Sequence, residues 1–192
     1  MIAMTELEKM MSGELYQATK NTEMLDLLMV TRDRLYEFNR LHPRDVEQQQ
    51  AILRQLLGST GERFKIVQPF FCDYGFNIHI GEDFFANTNL VILDETSVTF
   101  GDNVFIAPNC AFYTAGHPLD AEQRKQGLEY SLPITVGNNV WIGGNVCVMP
   151  GVTIGDNTVI GGGSVVVHDI PAGVLAAGNP CRVIRQIHTP EE

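Results

Sequence analysis

The chain of 192 residues is long enough for one sizeable domain and a short appendage. Its 44% hydrophobic and 19% charged residues are typical of a globular protein, and no apolar run reaches the ~20 residues that a membrane span requires. The formal charge is −10, from 23 acidic and 13 basic residues. Because such a surface repels phosphodiester backbones, the composition argues against nucleic acid as a partner.

Residues 1–60 are predicted to be helical. A short amphipathic piece covers residues 5–16, and a longer helix carries an apolar stripe from Leu25 to Phe38. His42-Pro43 breaks this pattern, and a third helix is expected from Asp45 to Leu57. The first twelve residues lack the charged start and apolar stretch of a secretion signal, which predicts a cytoplasmic location.

Residues 61–192 contain a repeat of six. With a two-residue slip and one longer gap, apolar residues recur at Ile80, Ala86, Ile92, Phe100, Ile106, Val136, Ile142, Val148, Ile154, Ile160 and Val166. Glycine follows six of these eleven residues. Six residues make one flat face of a strand and a turn, so three repeats make a triangular coil, and coils must stack to bury their apolar residues. The pattern predicts a left-handed parallel β-helix of hexapeptide repeats, and it is too regular for the alternative of antiparallel hairpins with Gly-Asn turns.

The gap in the repeat is the first functional indication. The register is lost between Ala111 and Val136, and the polar segment 114–133 is predicted to protrude as a loop from a corner of the prism. His117 opens this loop between a glycine and a proline, which restrict the backbone. An imidazole with a pKa near ~6.5 is the natural general base at neutral pH, although spacing alone fits a solvent-facing loop histidine equally well.

A metal site is not predicted. No second histidine follows His117 within a few residues, so a zinc site of three histidines lacks its ligands. The cysteines, Cys72, Cys110, Cys147 and Cys181, contain no CxxC pair and are expected to be reduced thiols.

Two further features suggest a bound ligand. Trp141, the only tryptophan, must face outward, either packing between subunits or forming a wall for a cofactor arm. Gly144 leaves backbone N–H groups unobstructed, as is needed to hold a thioester carbonyl. Arg182, Arg185 and His188 form a local basic patch that suits a small polyanion.

Stretches spread over nearly the whole chain carry a family resemblance. They are Gly13-Glu14-Leu15-Tyr16, Tyr36-Glu37-Phe38-Asn39, Asn77-Ile78-His79-Ile80-Gly81, Phe85-Ala86-Asn87, Gly116-His117-Pro118, residues 134–143, residues 150–156 and residues 177–184. In these stretches the sequence resembles the galactoside and maltose O-acetyltransferases of the hexapeptide-repeat superfamily. The resemblance implies transfer of an acetyl group from acetyl-CoA directly to a hydroxyl of a small acceptor such as a sugar.

The resemblance also implies roles for individual residues. His117 is implied to be the general base, and the coenzyme is implied to contact Asn87, Trp141, Gly144, Gly162, Val167, His168, Arg182 and Arg185. The two arginines would face the CoA phosphates. The family forms homotrimers with active sites in clefts between neighbouring prisms, and this assembly is therefore expected here.

The acceptor side departs from the family pattern. The resemblance implies acceptor contacts from Asp73, Phe85, Asn87 and Glu95. Glu95 stands where the family has an aspartate and Asp73 where it has a serine. Ala18 and Leu28 replace an acidic residue and an arginine that grip the sugar.

Two alternatives to O-acetylation remain open at this level. A non-catalytic scaffold could use the same prism, but it has no use for the combination of His117, Asn87, Gly144 and the arginine pair. N-acetylation of an amino sugar or antibiotic would use the same base and coenzyme site, and the sequence does not separate it from O-acetylation.

Overall fold

The computed structural model describes residues 4–187. Three helices begin the chain, α1 (Glu6–Ser12), α2 (Thr22–Arg40) and α3 (Val46–Leu56), with a short 3₁₀ helix at Ala18–Lys20. A capping box between Thr5 and Glu8 starts α1, and Gly13 ends it with a left-handed φ of 81°. For this reason α1 is shorter than the piece predicted over residues 5–16.

The buried face of α2 is rotated from the apolar stripe of the sequence. Met24, Thr31, Leu35 and Phe38 are buried, whereas Leu25, Met29 and Tyr36 are 41–60% exposed. Polar bonds to the prism set this rotation, because the Thr31 hydroxyl donates to the carbonyl of Tyr74 (2.9 Å) and Asn39 pairs with the backbone of Phe70. Among residues 4–187, no helix combines the length and apolar character needed to cross a membrane.

The strands of residues 64–186 form the three faces of a prism of parallel coils. A seven-stranded face contains β1 (Phe64–Ile66), β4 (Phe84–Ala86), β7 (Phe105–Ile106), β12 (Trp141–Ile142), β15 (Val159–Ile160), β17 (Val174–Ala177) and β18 (Arg182–Gln186). A five-stranded face contains β2 (Phe70–Cys72), β5 (Leu90–Leu93), β8 (Ala111–Tyr113), β13 (Cys147–Val148) and β16 (Val165–Val166). A four-stranded face contains β3 (Ile78–Ile80), β6 (Val98–Phe100), β11 (Ile134–Val136) and β14 (Thr153–Ile154).

The chain visits the faces in a constant order, from the seven-stranded to the five-stranded to the four-stranded face. All strand pairs are parallel except β18, which returns antiparallel to β17, and the hairpin described below. Together with the helical segment at the N-terminus, this is the predicted left-handed β-helix, and the fold prediction is confirmed.

The repeat register of the sequence describes the core of the prism. All eleven predicted inward residues, from Ile80 to Val166, are at most 4% exposed. Phe112 is also fully buried and aligns with Ile92 and Val148 in the neighbouring coils. The repeat therefore continues through Phe112, just beyond Ala111, where the sequence predicted its loss.

The glycines of the repeat are required by close approach of neighbouring coils. A Cβ on Gly143 would lie 2.6 Å from the backbone nitrogen of Gly162. The left-handed backbone conformation occurs two residues after such glycines, at Asn or Asp positions with φ between 54° and 58°, for example Asn145 and Asn157. Glycine and asparagine therefore have separate roles in each turn.

Gly143→Ala is expected to lower the free energy of unfolding by about 3 kcal/mol, because the new methyl group meets only backbone atoms of the next coil. The adjacent substitution Gly144→Ala is the matched control, since its Cβ would lie 3.3 Å from the nearest atom, the carbonyl oxygen of Pro108. Denaturant unfolding of both variants at one protein concentration measures the difference. Equal stability of the two variants would contradict the close-approach explanation.

The segment 114–133 folds into a compact excursion from the prism. It contains β9 (Ala115–Gly116), α4 (Ala121–Lys125) and β10 (Tyr130–Ser131), and β10 pairs antiparallel with β9. A Cβ on Gly116 would lie 2.5 Å from Cζ of Tyr130, so the Tyr130 ring packs directly over this glycine. The excursion leaves after β8 and returns to the prism at β11.

Candidate active site

The irregular turns of the repeat all lie at one edge of the prism, which we call the His117 corner. It consists of the turns that lead from the five-stranded to the four-stranded face, at residues 73–77, 94–97, 114–133, 149–152 and 167–169. The two-residue slip between Ile92 and Phe100 and the long gap are both insertions at this corner. Departures from the period of six are thus collected at a single edge.

A cavity of about 340 Å³ opens at the His117 corner. Its lining residues come from the ends of three strands of the five-stranded face and from the excursion, and they are Leu93, Glu95, Tyr113, Ala115, Gly116, His117, Glu129 and Met149. The volume is within the range of small-molecule sites. Within residues 4–187, no group of three or more histidine, cysteine, aspartate or glutamate side chains is placed to hold a metal ion.

His117 is oriented by the backbone of its own excursion. Its Nδ1 lies 3.1 Å from the carbonyl oxygen of Leu128. Because a carbonyl can only accept, Nδ1 must donate a proton, and in the neutral ring Nε2 then carries the lone pair. The exposed imidazole lines the cavity, and its unprotonated nitrogen has the chemistry to accept a proton there.

Glu95 is a buried carboxyl in the wall of the cavity. The hydroxyl of Thr114 donates to the carbonyl of Leu93 (2.8 Å), and Oε2 of Glu95 lies 3.0 Å from the same hydroxyl oxygen. Burial raises the pKa of Glu95 well above the usual range of a carboxyl group, and the neighbouring carboxyl of Asp73 adds to the shift. At neutral pH Glu95 therefore keeps its proton and can donate a hydrogen bond as well as accept one.

Asp94 organises the turn that carries Asp73. Its Oδ1 accepts from the backbone N–H groups of Asp73 (3.1 Å) and Tyr74 (2.9 Å). Its backbone carbonyl accepts from the side-chain amide of Asn77 (2.7 Å). The side chain is fully buried, and burial raises its pKa to about 7. Asp94 thus holds Asp73 beside Glu95 without reaching the cavity itself.

Glu129 brings a second carboxylate to the cavity, directly after the residue that orients His117. The hydroxyl of Tyr16 donates to its Oε2 (2.9 Å) across 113 residues of sequence. The backbones of Tyr16 and Glu129 also exchange two hydrogen bonds of 3.0 Å. The N-terminal segment therefore contacts the excursion at the point where the excursion lines the cavity.

Only some of the sequence-predicted site residues lie near His117 in one chain. Glu95 shares its cavity, Asp73 contacts Glu95, and the exposed Val167 and His168 lie farther along the same corner. The other predicted residues lie elsewhere, and His188 lies outside the described residues.

Asn87, Gly144 and Gly162 stack at a different edge, the glycine corner, where the seven-stranded face meets the five-stranded face. The carbonyl of Gly144 accepts from Gly163 N–H (2.8 Å), and a Cβ on Gly162 would lie 3.1 Å from the same carbonyl oxygen. The width of the five-stranded face separates this corner from His117. One chain therefore does not bring the two predicted halves of the site together.

The remaining predicted residues lie on the seven-stranded face and its terminal strand. Phe85 and Trp141 point outward, and Trp141 is 56% exposed. Arg182 and Arg185 are exposed on β18, where Arg185 pairs with Leu175 of β17. None of these four residues lies at the His117 corner.

The outward residues of the three faces differ in chemistry. Outward positions on the four-stranded face are polar, namely His79, Thr99, Thr135 and Thr153. The five-stranded face presents Phe71, Val91, Ala111, Cys147 and Val165. The seven-stranded face presents Lys65 on its first strand and then Phe85, Phe105, Trp141, Val159 and Leu175. The two apolar faces meet at the glycine corner.

Several lining residues were missed by reasoning from the sequence. Leu93, Tyr113 and Met149 each follow an inward residue at the end of a strand, so the repeat register could have identified them. Glu129 and Tyr16 have no such signal, because their positions depend on how the excursion and the N-terminal segment fold back.

Comparison with known proteins places the whole chain among acetyltransferases. Family models match residues 9–61 (maltose acetyltransferase hexapeptide capping motif) and residues 133–168 (bacterial transferase hexapeptide, six repeats). Galactoside O-acetyltransferase of Escherichia coli is 49% identical over 185 residues, which cover 94% of this chain and 89% of that protein.

Two solved structures extend the likeness to three dimensions. A maltose O-acetyltransferase from Clostridium difficile 630 has a TM-score of 0.96 and 48% identity, covering 98% of this chain and 100% of that one. A galactoside acetyltransferase in complex with coenzyme A has a TM-score of 0.93 and 47% identity, covering 97% of this chain and 92% of that one. The likeness thus includes both the helical segment and the prism.

Proposed function

Because the chain belongs to the galactoside and maltose O-acetyltransferase family of hexapeptide-repeat enzymes, we propose that it acetylates a hydroxyl of a sugar-like acceptor with His117 as the general base. The enzyme is an acetyltransferase that uses acetyl-CoA as its co-substrate. The observation that carries the proposal is the imidazole of His117 at the cavity, with Nδ1 bonded to Leu128 and Nε2 free to accept a proton. We also infer a cytoplasmic site of action, since acetyl-CoA is an intracellular metabolite.

In the proposed reaction, Nε2 of His117 removes the proton of the acceptor hydroxyl as its oxygen attacks the thioester carbon. The carbon–sulfur bond breaks, the acetyl group stays on the acceptor oxygen, and the proton held by His117 passes to the CoA sulfur. Backbone N–H groups near Gly144 are proposed to bind the thioester oxygen as it gains negative charge.

The acceptor is proposed to bind in the cavity at the His117 corner. Glu95 can both donate and accept hydrogen bonds there, and Asp73 lies beside it, as recognition of neighbouring hydroxyls requires. Ala18 and Leu28 pack against the small apolar cluster of Met10, Tyr16, Met24 and Tyr74. The N-terminal helices therefore offer apolar surface at the two positions where relatives grip the sugar through charges, which supports an acceptor other than a galactoside.

A homotrimer would complete the site. Residues implied to bind the coenzyme (Asn87, Trp141, Gly144 and Gly162) lie at the glycine corner or on the seven-stranded face, away from His117. Two apolar faces that meet at the glycine corner suit burial in a threefold assembly in which that corner of one subunit lies beside the His117 corner of its neighbour. The seven-stranded face of one subunit would then lie beside the His117 corner of its neighbour, with the threonine-bearing face in solvent.

The coenzyme is proposed to lie in the cleft between the His117 corner of one subunit and the seven-stranded face of its neighbour. Gly144 and Gly162 keep the glycine corner open for a pantetheine arm, and Val167 and His168 are exposed along the His117 corner. Arg182 and Arg185 are exposed on β18, where they can face the CoA phosphates.

Replacing both Arg182 and Arg185 with alanine is expected to raise the Kd for acetyl-CoA by about tenfold, because two charge-assisted phosphate contacts are lost. Isothermal titration of each protein with acetyl-CoA, in the absence of an acceptor, measures this change. Arg44→Ala, on an exposed arginine of the helical segment, is the matched control and is expected to leave the Kd unchanged. An unchanged Kd in the double variant would refute the phosphate role.

The function itself is tested by measuring the release of free CoA from acetyl-CoA with a panel of sugars, polyols and amino sugars. We expect release with a hydroxyl acceptor and its loss when His117 is replaced. Acetylation only of amino groups would favour the N-acetyltransferase alternative. Absence of any His117-dependent release would favour a non-catalytic scaffold.

A further inference from the structure

The cavity at the His117 corner is unbalanced in charge. Its ionisable lining residues are Glu95, Tyr113, His117 and Glu129, and none of the lining residues in the described part of the chain is a lysine or an arginine. Asp73 adds a carboxyl behind Glu95. A ligand in this cavity therefore meets carboxyl groups without a fixed cation to offset them.

Tyr16 holds one of these carboxylates in place. The residue is fully buried, and its hydroxyl donates to Oε2 of Glu129 at 2.9 Å. Burial raises the pKa of this phenol, and the negative charge of the neighbouring Glu129 raises it further, so the hydroxyl remains a donor at any working pH. The bond occupies one carboxylate oxygen and leaves Oε1 of Glu129 available to a ligand.

The backbone reinforces this arrangement. The amide of Tyr16 donates to the carbonyl of Glu129 and the amide of Glu129 donates to the carbonyl of Tyr16, both at 3.0 Å. Gln17 adds a bond from its side-chain amide to the carbonyl of Gln126 (2.6 Å). These bonds also hold the backbone of Leu128, whose carbonyl orients His117. The side chain of Glu129 therefore has a defined place beside the base.

We propose that Glu129, positioned by Tyr16, is a specificity-determining residue that binds the acceptor and selects neutral or cationic acceptors over anionic ones. This inference rests on the proposed function and deepens it, because it names the charge class of the acceptor. Tyr16 is a positioning residue in this proposal, since it acts through Glu129 and lies outside the cavity lining.

The expected discrimination follows from Coulomb's law. A carboxylate of the ligand about 6 Å from the half-buried Glu129 is repelled strongly enough to lower kcat/KM by about tenfold or more at the intermediate dielectric of such a site. An ammonium group at the same distance is attracted by the same carboxylate, which raises kcat/KM. A neutral hydroxyl at that place can donate a hydrogen bond to Oε1 of Glu129.

The test compares glucose, glucosamine and glucuronic acid, and in parallel the three galactose counterparts, at one ionic strength with acetyl-CoA. Release of free CoA gives kcat/KM for each acceptor. For the natural chain we expect the uronic acid to be at least about tenfold poorer than the neutral sugar, with the amino sugar equal or better. Glu129→Gln, which keeps the shape and removes the charge, is expected to reduce the ratio of neutral to anionic kcat/KM by about fivefold.

Tyr16→Phe keeps the buried ring and removes only the hydroxyl. This variant is expected to raise the KM for the acceptor and to lower the ratio of neutral to anionic kcat/KM. The KM for acetyl-CoA is expected to stay unchanged. Tyr36→Phe, at a tyrosine that is 60% exposed on α2, is the matched control. Thermal unfolding of each variant separates a loss of fold from a loss of selectivity.

A ratio near one in the natural chain, or a ratio that Glu129→Gln leaves unchanged, would overturn the charge selection alone. A failure of the proposed function has a different signature. No release of CoA with any sugar, neutral, cationic or anionic, would overturn both the function and this inference.

Discussion

His117→Ala is expected to lower the turnover number by about a hundredfold or more while leaving the Kd for CoA unchanged. The imidazole is the proposed base, and its Nδ1 donates to the carbonyl of Leu128 at 3.1 Å, which leaves Nε2 unprotonated in the neutral ring. Alanine removes the proton acceptor but leaves the carboxyl groups of the cavity and the distant glycine corner in place. The loss should therefore appear in kcat rather than in coenzyme binding.

The measurement is steady-state release of CoA at saturating acetyl-CoA, combined with titration of CoA to the variant. His42→Ala is the matched control, because His42 is exposed beyond the end of α2 and far from the cavity lining in sequence. Near-normal turnover of His117→Ala would remove His117 from the reaction. If His117→Ala lost CoA binding as well as turnover, the result would instead show that the imidazole contributes to binding of the coenzyme.

Val91→Glu is expected to convert a trimer into monomers and to lower turnover by about a hundredfold, because the cleft is then incomplete. Val91 points outward from the middle of the five-stranded face, between Phe71 and Ala111. In an isolated chain the new carboxylate faces water and costs little. In a contact between subunits it is a buried, unpaired charge, which costs several kcal/mol at each of three interfaces.

Thr99→Glu is the matched control on the four-stranded face, where the outward neighbours are His79 and Thr135. It is expected to remain trimeric and active. Sedimentation equilibrium gives the mass of each protein, and the CoA release assay gives its activity. A natural chain that sediments as a monomer with full turnover would refute the shared site.

Much of the prism could be predicted from the sequence because the signal is local. An inward residue recurs every six positions, and a small residue follows wherever two coils approach closely, as at Gly143 beside Gly162. The parts that were less well predicted depend on distant contacts. The predicted stripe of α2 runs from Leu25 to Phe38, and only part of it is buried. Leu35 and Phe38 face the core, whereas bonds from Thr31 and Asn39 to the prism rotate the helix so that Leu25 and Met29 are exposed.

The candidate base was also visible in the sequence, because His117 stands at an interruption of the repeat between glycine and proline. What orients it was not visible. Leu128 lies 11 residues away and reaches His117 only because the excursion folds back as the β9–β10 hairpin. A carbonyl partner has no side-chain signature, so no motif could have indicated it.

The sequence by itself determined the coil, its inward register and the corner at which the candidate base lies, since a period of six specifies each turn from its neighbours. The tertiary structure decided which groups meet at that corner. Glu129 comes beside His117, and Tyr16 reaches Glu129 across 113 residues, through backbone pairing that follows no periodic pattern. It also separated the glycine corner from His117, because the order in which the chain visits the faces puts the five-stranded face between them.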